Sequence, residues 1–204
     1  MKKAIIFDLD GTLYDTEGLD EENETAAIQS LVEFKRIEPA DAKSLLDKSR
    51  NSTTGKISLS KSLYLLGVPD PVFKSHQLRL LNPERHIFQD EELVSVIRSL
   101  KNDFSISIYT NSRREIVPRI LMAIGFSVDD FDQIVAGGDV GEPKPSATEM
   151  AKVVRNLGLN PEDCYMVGDR WQVDLAPAED VGLKTVQVNS RNQLVNWLES
   201  FRKN

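Results

Sequence analysis

A regular alternation of short apolar runs with helical patterns is the feature that most restricts how this chain can fold. Runs of strand length lie at residues 3–9, 105–109, 133–136, 164–167 and 184–188. Apolar residues at helical spacing predict helices over residues 90–100, 113–124, 146–157, 176–181 and 193–201. Strands that alternate with helices in this way pair in parallel through crossover connections. The chain is therefore predicted to be an α/β protein whose mainly parallel sheet carries helices on both faces.

The segment between the first two apolar runs breaks this alternation. Its apolar residues cluster at 26–32, 45–46, 59–66 and 72–81, which predicts three or four helices. A helical block inserted directly after the first strand is most simply a small module packed over the carboxyl end of that strand. We therefore predict a discontinuous core of residues 1–15 and 88–204, with a small helical cap domain at residues 16–87.

Composition and charge exclude some classes of protein. With 204 residues, 40% hydrophobic and 28% charged, the chain is typical of a globular protein with one main domain. Its net charge of -7 disfavours DNA or RNA polymers as partners, since such binding depends on Lys and Arg. Asp8 and Asp10 interrupt the first apolar run, which is too short for a signal core or a membrane span. Cys164 is the only cysteine, so no intrachain disulfide forms, and we expect a cytoplasmic protein without a membrane partner.

Polar residues follow the predicted strands at the point where each strand ends, or lie in the loops beyond. They are Asp8 and Asp10, Thr110 and Asn111, Lys144, and Asp169 with Asp174 nearby. In open parallel sheets the ligand crevice lies outside the carboxyl ends of the strands, so we expect these residues to converge there. Each one alone is equally typical of a turn, because Asp, Asn and Thr are common where strands end. Their joint occurrence favours a functional site.

The carboxylates in this set predict a divalent cation. Asp8 and Asp10 are two residues apart, which places both side chains on one face of an extended chain before Gly11 allows a turn. Their like charges, joined by that of Asp169, need neutralisation. Oxygen ligands that act together with waters and a substrate phosphate suit Mg²⁺. We therefore predict Mg²⁺ as the cofactor.

Lys144 is the candidate positive charge of the same site. Pro143 and Pro145 stiffen its loop and could aim the ammonium group into the crevice. There it would offset the carboxylates and a dianionic phosphate, while Thr110 and nearby backbone N–H groups would donate hydrogen bonds to phosphate oxygens. The alternative is a solvated charge on a surface loop.

Four short motifs carry a resemblance to a known family. They are DLDGT at residues 8–12, YTNS at 109–112, EPKP at 142–145 and GDRWQVD at 168–174. In order and spacing they resemble the four motifs of the haloacid dehalogenase superfamily. The likeness covers about residues 1–15 and 88–190, and the position of the helical segment resembles the subgroup with a cap after the first motif. It implies a Rossmann-like three-layer core.

The resemblance also implies a role for each matching residue. Asp8 would be the nucleophile, and Asp10 the general acid and base. Thr110 would bind the substrate phosphate, and Asn111 beside it is a further candidate for substrate binding. Lys144 would steady the nucleophile and the transferring phosphoryl group.

A magnesium site is implied by the same resemblance. Asp8 and Asp169 would hold the ion through their carboxylates, and Asp10 through its backbone carbonyl. Asp174 would help to position the ion or its waters.

Asp10 separates phosphate chemistry from dehalogenation within such a family. A leaving alkoxide needs a proton and an attacking water must lose one, whereas halide leaves without a proton. The predicted function is thus a magnesium-dependent phosphatase that hydrolyses a small phosphorylated metabolite through an aspartyl-phosphate. Two alternatives stay open: a phosphomutase of the β-phosphoglucomutase type, and a non-catalytic phosphate-binding module. The motifs identify neither the substrate nor the oligomeric state.

A polar loop within the predicted cap is a candidate for substrate contact. Ser52, Thr53, Thr54 and Lys56 could reach a substrate, and a solvated loop is the alternative. In folds of this kind specificity depends on the loops added to the core, so residues 50–56 are expected to influence substrate preference.

Overall fold

The computed structural model describes residues 2–51 and 57–202. The loop residues Ser52, Thr53, Thr54 and Lys56 lie outside the described residues. The chain divides into two compact units, which we call the sheet unit (Met1–Asp15 and Ile87–Asn204) and the helical unit (Thr16–His86). The assignment of residues 16–87 as a cap domain stays a prediction.

The sheet unit is built on a parallel β-sheet. Within the described residues its strands are β1 Lys3–Phe7, β2 Phe104–Arg113, β3 Gln133–Gly137, β4 Cys164–Gly168 and β5 Lys184–Gln187. They pair in the order β3-β2-β1-β4-β5, and all of these pairings are parallel. Strand β1 is central and its last four residues are buried, as expected of an apolar strand covered on both faces. The chain runs outward from β1 in both directions, so a ligand crevice is expected at its carboxyl end.

The helical unit contains the helices that precede the second strand. Within the described residues they are α1 Glu17–Lys35, α2 Pro39–Arg50, α3 Leu59–Leu65, α4 Asp70–Leu80 and α5 Pro83–His86. Leu31, Leu46, Leu63 and Phe73 contribute to its buried apolar interior. In the described segments no helix combines the length and the apolar character needed to cross a lipid bilayer.

Further helices cover both faces of the sheet. They are α6 Glu91–Ser99, α7 Val117–Ile124, α8 Ala147–Leu157, α9 Ala176–Val181 and α10 Arg191–Ser200. On one face Ala4 and Ile6 of β1 share a buried cluster with residues of α8 and α9. On the other face the ring of Tyr165 in β4 packs edge-on against Trp197 and Phe201, which lie in α10 and at its C-terminal end. The predicted Rossmann-like α/β core with a mainly parallel sheet is thereby confirmed.

Strand β2 differs from its prediction because it continues to Arg113 instead of ending at residue 109. Its pairing with β3 is irregular between Tyr109 and Arg113, where the register shifts. Helix α7 accordingly begins at Val117 and not at residue 113, with Pro118 in its first turn, where proline suits a helix start. The irregular stretch leaves residues 110–112 out of regular pairing at the carboxyl edge of the sheet.

We predict that Gly137→Ala destabilises the sheet unit at this irregular stretch. A Cβ atom at position 137 would overlap the backbone carbonyl oxygen of Asn111, and backbone atoms cannot rotate away as a side chain does. Overpacking of this kind costs about 1–3 kcal/mol of unfolding free energy, measurable by urea denaturation. The control is Gly141→Ala, whose Cβ would meet the side-chain oxygen of Glu149 at 3.3 Å. Equal effects of the two substitutions would contradict the prediction.

Candidate active site

Asp8 occupies the centre of the carboxyl edge of the sheet. Its backbone N–H donates to the carbonyl oxygen of Val167 at 2.8 Å, and the residue is 1% exposed. The preceding Phe7 pairs with Ile108 of β2 on one side and with Val167 of β4 on the other. Residues at or beyond the ends of β2 and β4 are therefore brought to Asp8 from both sides.

The side chain of Lys144 is buried against Asp8. Its Nζ donates to Asp8 Oδ1 at 2.6 Å, to Asp174 Oδ1 at 2.7 Å and to the backbone carbonyl of Tyr109 at 2.9 Å. These bonds use all the N–H donors of an ammonium group. With a side chain only 1% exposed, Lys144 is not a solvated loop charge.

Burial has the largest effect on the pKa values of Asp8, Lys144 and Asp169. Burial and the nearby charge of Asp174 raise the pKa of Asp8 to about 7, although Lys144 acts in the opposite direction. Burial opposes the charge on Lys144, but the carboxylates of Asp174 and Asp8 raise the pKa of its ammonium group overall. Burial also raises the pKa of Asp169. The single ammonium group of Lys144 therefore does not balance the negative charges of Asp8, Asp169 and Asp174.

The carboxylates of Asp8, Asp169 and Asp174 form a cluster that fits a metal ion. One oxygen of each lies within 4.8 Å of an oxygen of the others. Asp8 Oδ2 and Asp169 Oδ1 are buried and accept no hydrogen bond from the part of the chain that the structure describes. Buried polar atoms normally have partners, and carboxylate oxygens are the ligands that hard divalent cations prefer. The donor set therefore fits Mg²⁺, and the carboxylate of Asp10 does not belong to this cluster.

Two glycines permit the close approach of the strand ends. Gly11 has a φ of 81°, and a Cβ atom there would lie 2.7 Å from Asp169 Oδ2. Gly168 ends β4, and a Cβ atom there would lie 2.7 Å from the Cβ of Asp174. Both approaches bring carboxylates of the cluster close to the backbone, which side chains at these positions would prevent.

Asp10 is held by hydroxyl groups. Tyr14 Oη donates to Asp10 Oδ1 at 2.5 Å, and Thr110 Oγ1 donates to Asp10 Oδ2 at 2.9 Å. Ser112 Oγ lies 2.9 Å from Oδ1 and 2.8 Å from Oδ2 of the same carboxylate. We call Tyr14, Thr110 and Ser112 the hydroxyl cradle. The sequence analysis gave no role to Tyr14 or Ser112, although Ser112 ends the YTNS motif and Tyr14 lies two residues after the DLDGT motif.

The chain matches the haloacid dehalogenase-like hydrolase family over residues 2–182. The matched region contains the carboxylate cluster, Lys144 and the hydroxyl cradle. The chain belongs to this family. The predicted superfamily and the prediction of an enzyme are thereby confirmed.

Relatives of this haloacid dehalogenase-like hydrolase carry the names of phosphatases. It is 24% identical over 203 residues to a glyceraldehyde 3-phosphate phosphatase of Methanothermobacter thermautotrophicus, covering 93% of this chain and 87% of that protein. It is 29% identical over 189 residues to a phosphoglycolate phosphatase of Aquifex aeolicus, covering 90% and 83% respectively. A HAD phosphatase from Thermococcus onnurineus has the same fold, with a TM-score of 0.68, 21% identity and coverage of 98% and 97%.

Asn111 of this hydrolase faces the backbone of Lys144. Its Nδ2 donates to the carbonyl oxygen of Lys144 at 3.1 Å, and its Oδ1 accepts from the backbone N–H of Lys144 at 2.8 Å. This reciprocal pair ties the β2 end to the loop that carries the lysine. The structure therefore places the side chain of Asn111, a candidate for substrate binding, on the lysine loop.

Arg170 is a positively charged neighbour of the cluster that the sequence analysis did not single out. Its Nε lies 3.6 Å from Asp169 Oδ1 and 3.9 Å from Asp174 Oδ2, and its backbone N–H donates to Asp174 Oδ2 at 3.2 Å. The side chain is 40% exposed, so solvent screens this charge more than that of Lys144.

We predict that Lys144→Met destabilises the hydrolase in the presence of a chelator. The substitution leaves Asp8 and Asp174 buried without their ammonium partner, which costs about 3–5 kcal/mol of unfolding free energy. Urea denaturation measures this loss, and Asp174→Asn in the same chain should recover part of it. Lys152→Met is the matched control, because the Lys152 side chain is 52% exposed. A loss no larger than that of the control would contradict the buried ion pairs.

Proposed function

We propose that this hydrolase is a magnesium-dependent phosphatase that acts on a small phosphorylated metabolite through an aspartyl-phosphate on Asp8. The observation that carries the proposal is the state of the Asp8 carboxylate. Lys144 binds its Oδ1, while its Oδ2 accepts no hydrogen bond from the described residues. Asp10, two residues further on and close enough for its charge to act on Asp8, is assigned as the separate acid and base.

In the first step, Asp8 attacks the phosphorus atom of the substrate. A bond forms between the Asp8 carboxylate oxygen and phosphorus, and the bond from phosphorus to the substrate oxygen breaks. Asp10 donates its proton to that leaving oxygen, so an alcohol departs instead of an alkoxide. Lys144 hydrogen-bonds the nucleophile, and its positive charge stabilises the negative charge on the transferring phosphoryl group through space.

In the second step, water hydrolyses the aspartyl-phosphate. Asp10, now a carboxylate, accepts a proton from the water as its oxygen attacks phosphorus. The bond between phosphorus and the Asp8 oxygen breaks, which releases inorganic phosphate and restores the Asp8 carboxylate. The proton gained by Asp10 returns it to the state needed for the next substrate.

Mg²⁺ would be held by the carboxylates of Asp8 and Asp169 and by the backbone carbonyl of Asp10, with Asp174 helping to position it. When bound, the ion supplies positive charge that allows a phosphate dianion to approach a carboxylate nucleophile. The buried oxygens Asp8 Oδ2 and Asp169 Oδ1, which accept no hydrogen bond from the described residues, support this ligand set.

Phosphate binding requires a change in the hydrogen bonding of Thr110. Its hydroxyl donates to Asp10 Oδ2 at 2.9 Å and accepts from the backbone N–H of Ser112 at 2.9 Å. Because a hydroxyl has a single proton, Thr110 cannot donate to Asp10 and to a phosphate oxygen at once. In the proposed complex it turns from Asp10 to the phosphate.

The class of substrate is supported by the relatives, which are named for glyceraldehyde 3-phosphate and phosphoglycolate. All residues assigned to the chemistry belong to the sheet unit. We assign the choice among small phosphorylated metabolites to the helical unit, since specificity in such folds depends on what is added to the core.

We predict that Asp8→Asn abolishes turnover and that no phospho-enzyme forms, because an amide is a poor nucleophile. Asp10→Asn should lower kcat for alkyl phosphates by about 10²- to 10⁴-fold, the usual contribution of general acid-base catalysis. With 4-nitrophenyl phosphate, whose leaving group needs little protonation, Asp10→Asn should still become phosphorylated and should accumulate the phospho-enzyme. The amount of phospho-enzyme is measured in samples quenched with acid. Wild-type activity in Asp8→Asn would refute the mechanism.

The same assay separates a phosphatase from a phosphomutase. A phosphatase releases inorganic phosphate as fast as it consumes the substrate, because water attacks the phospho-enzyme. A phosphomutase consumes the phospho-donor slowly unless a sugar phosphate accepts the phosphoryl group, and it interconverts hexose phosphates. Screening a panel of phosphorylated metabolites for both products distinguishes the two functions.

We predict that chelation stops the reaction, that Mg²⁺ restores it, and that Ca²⁺ restores it poorly. Ca²⁺ takes more ligands at longer distances, which would misplace a nucleophile that also binds the ion. The measurement is kcat after dialysis against a chelator and addition of each ion. Asp169→Asn should raise the concentration of Mg²⁺ needed for half-maximal activity by about 10-fold or more. Full activity in excess chelator would refute the metal site.

A further inference from the structure

We propose that Tyr14 is a positioning residue which, together with Ser112, keeps the Asp10 carboxylate aligned while Thr110 turns to the substrate phosphate. The inference rests on the proposed function and goes beyond it, because none of the recognised motif roles includes these two hydroxyls. Tyr14 lies outside the DLDGT motif, and Ser112 follows the residues to which a role was assigned.

The turn after β1 brings Tyr14 back to Asp10. Gly11 has a φ of 81°, and its backbone N–H donates to the carbonyl oxygen of Tyr14 at 3.1 Å. The backbone N–H of Leu13 donates to the carbonyl oxygen of Leu9 at 3.0 Å, which fixes the turn from within. Tyr14 Oη then reaches Asp10 Oδ1 at 2.5 Å. The contact is thus built into a hydrogen-bonded turn and does not depend on a freely rotating surface residue.

Ser112 approaches the same carboxylate from the end of β2. Its Oγ lies within 2.9 Å of both carboxylate oxygens of Asp10. Its backbone N–H donates to Thr110 Oγ1 at 2.9 Å. The Asp10 carboxylate is therefore hydrogen-bonded by residues of two segments, its own turn and the irregular end of β2.

A carboxyl group that gains and loses a proton in each cycle needs partners suited to both of its states. A hydroxyl donates to a carboxylate and accepts from a carboxylic acid, without a change in its own charge. Tyr14 and Ser112, the members of the hydroxyl cradle other than Thr110, therefore orient Asp10 in both steps of the reaction.

The proposed movement of Thr110 is the reason why Asp10 needs Tyr14 and Ser112 as additional hydrogen-bond partners. When its single hydroxyl proton turns to a phosphate oxygen, Asp10 loses one of the bonds that hold it. The hydroxyl groups of Tyr14 and Ser112 do not bind phosphate in the proposed mechanism, so their hydrogen bonds to Asp10 persist. Without Tyr14, Ser112 alone would hold Asp10, and the carboxyl group would be less well aligned with the leaving oxygen when a proton is transferred.

The test is Tyr14→Phe, assayed with a series of aryl phosphates of rising leaving-group pKa and with an alkyl phosphate. Loss of alignment at Asp10 should lower kcat/KM for the alkyl phosphate by about 10- to 100-fold, a part of the usual contribution of acid catalysis. The rate of phosphorylation by 4-nitrophenyl phosphate should change little. The dependence of kcat/KM on the leaving-group pKa should therefore become steeper, a change that general loosening of the structure would not cause.

Tyr165→Phe is the matched control. It removes the same hydroxyl from β4, where the ring packs against Trp197 and Phe201 on the face covered by α10. The control should keep the wild-type dependence on leaving group. Ser112→Ala is the second variant and should steepen the dependence in the same direction, which keeps the proposal testable if Tyr14→Phe folds poorly.

Equal losses on all substrates, or none on any, in Tyr14→Phe and in Ser112→Ala would overturn the positioning role. A wild-type enzyme that forms no aspartyl-phosphate on Asp8 would instead overturn the proposed function itself. The two failures are distinguished by acid-quench detection of the phospho-enzyme in the wild-type protein, which does not depend on Tyr14.

Discussion

The buried ammonium group of Lys144 is the interaction on which the rest of the site depends. It joins Asp8 at the end of β1, Asp174 beyond β4 and the backbone of Tyr109 in β2, with donor-acceptor distances of 2.6 to 2.9 Å. Without it, these carboxylates would face each other in a buried space where their like charges repel strongly. The lysine therefore compensates a charged site and fixes separate parts of the sheet edge relative to one another.

Two further features make this convergence geometrically feasible. Gly11 and Gly168 leave room for the carboxylates of Asp169 and Asp174, which would overlap any Cβ atom at those positions. The reciprocal hydrogen bonds of Asn111 hold the lysine loop against the end of β2. Backbone contacts thus hold the charged side chains of the site in position before a substrate binds.

The acidic residues of the site fall into two environments with different partners. Asp8, Asp169 and Asp174 lie in a cluster with a buried ammonium group and with carboxylate oxygens suited to a cation. Asp10 lies among neutral hydroxyls, which are compatible with both its protonated and its ionised state. In the proposed chemistry, Lys144 and a bound cation would keep Asp8 ionised against the effect of burial, while Asp10 exchanges a proton with the leaving group and with water.

The sequence by itself determined the parallel α/β core, because apolar runs and helical periodicity are local patterns set by which residues must be buried. It also determined which carboxylates stand at the strand ends, since parallel strands bring those ends to one edge. Only the tertiary structure decided that Lys144 is buried and that Asn111 holds its loop. It alone decided that Tyr14 and Ser112 share Asp10 and that β2 extends to Arg113. These features depend on which side chains of distant segments come within hydrogen-bonding distance, and no local pattern contains that information.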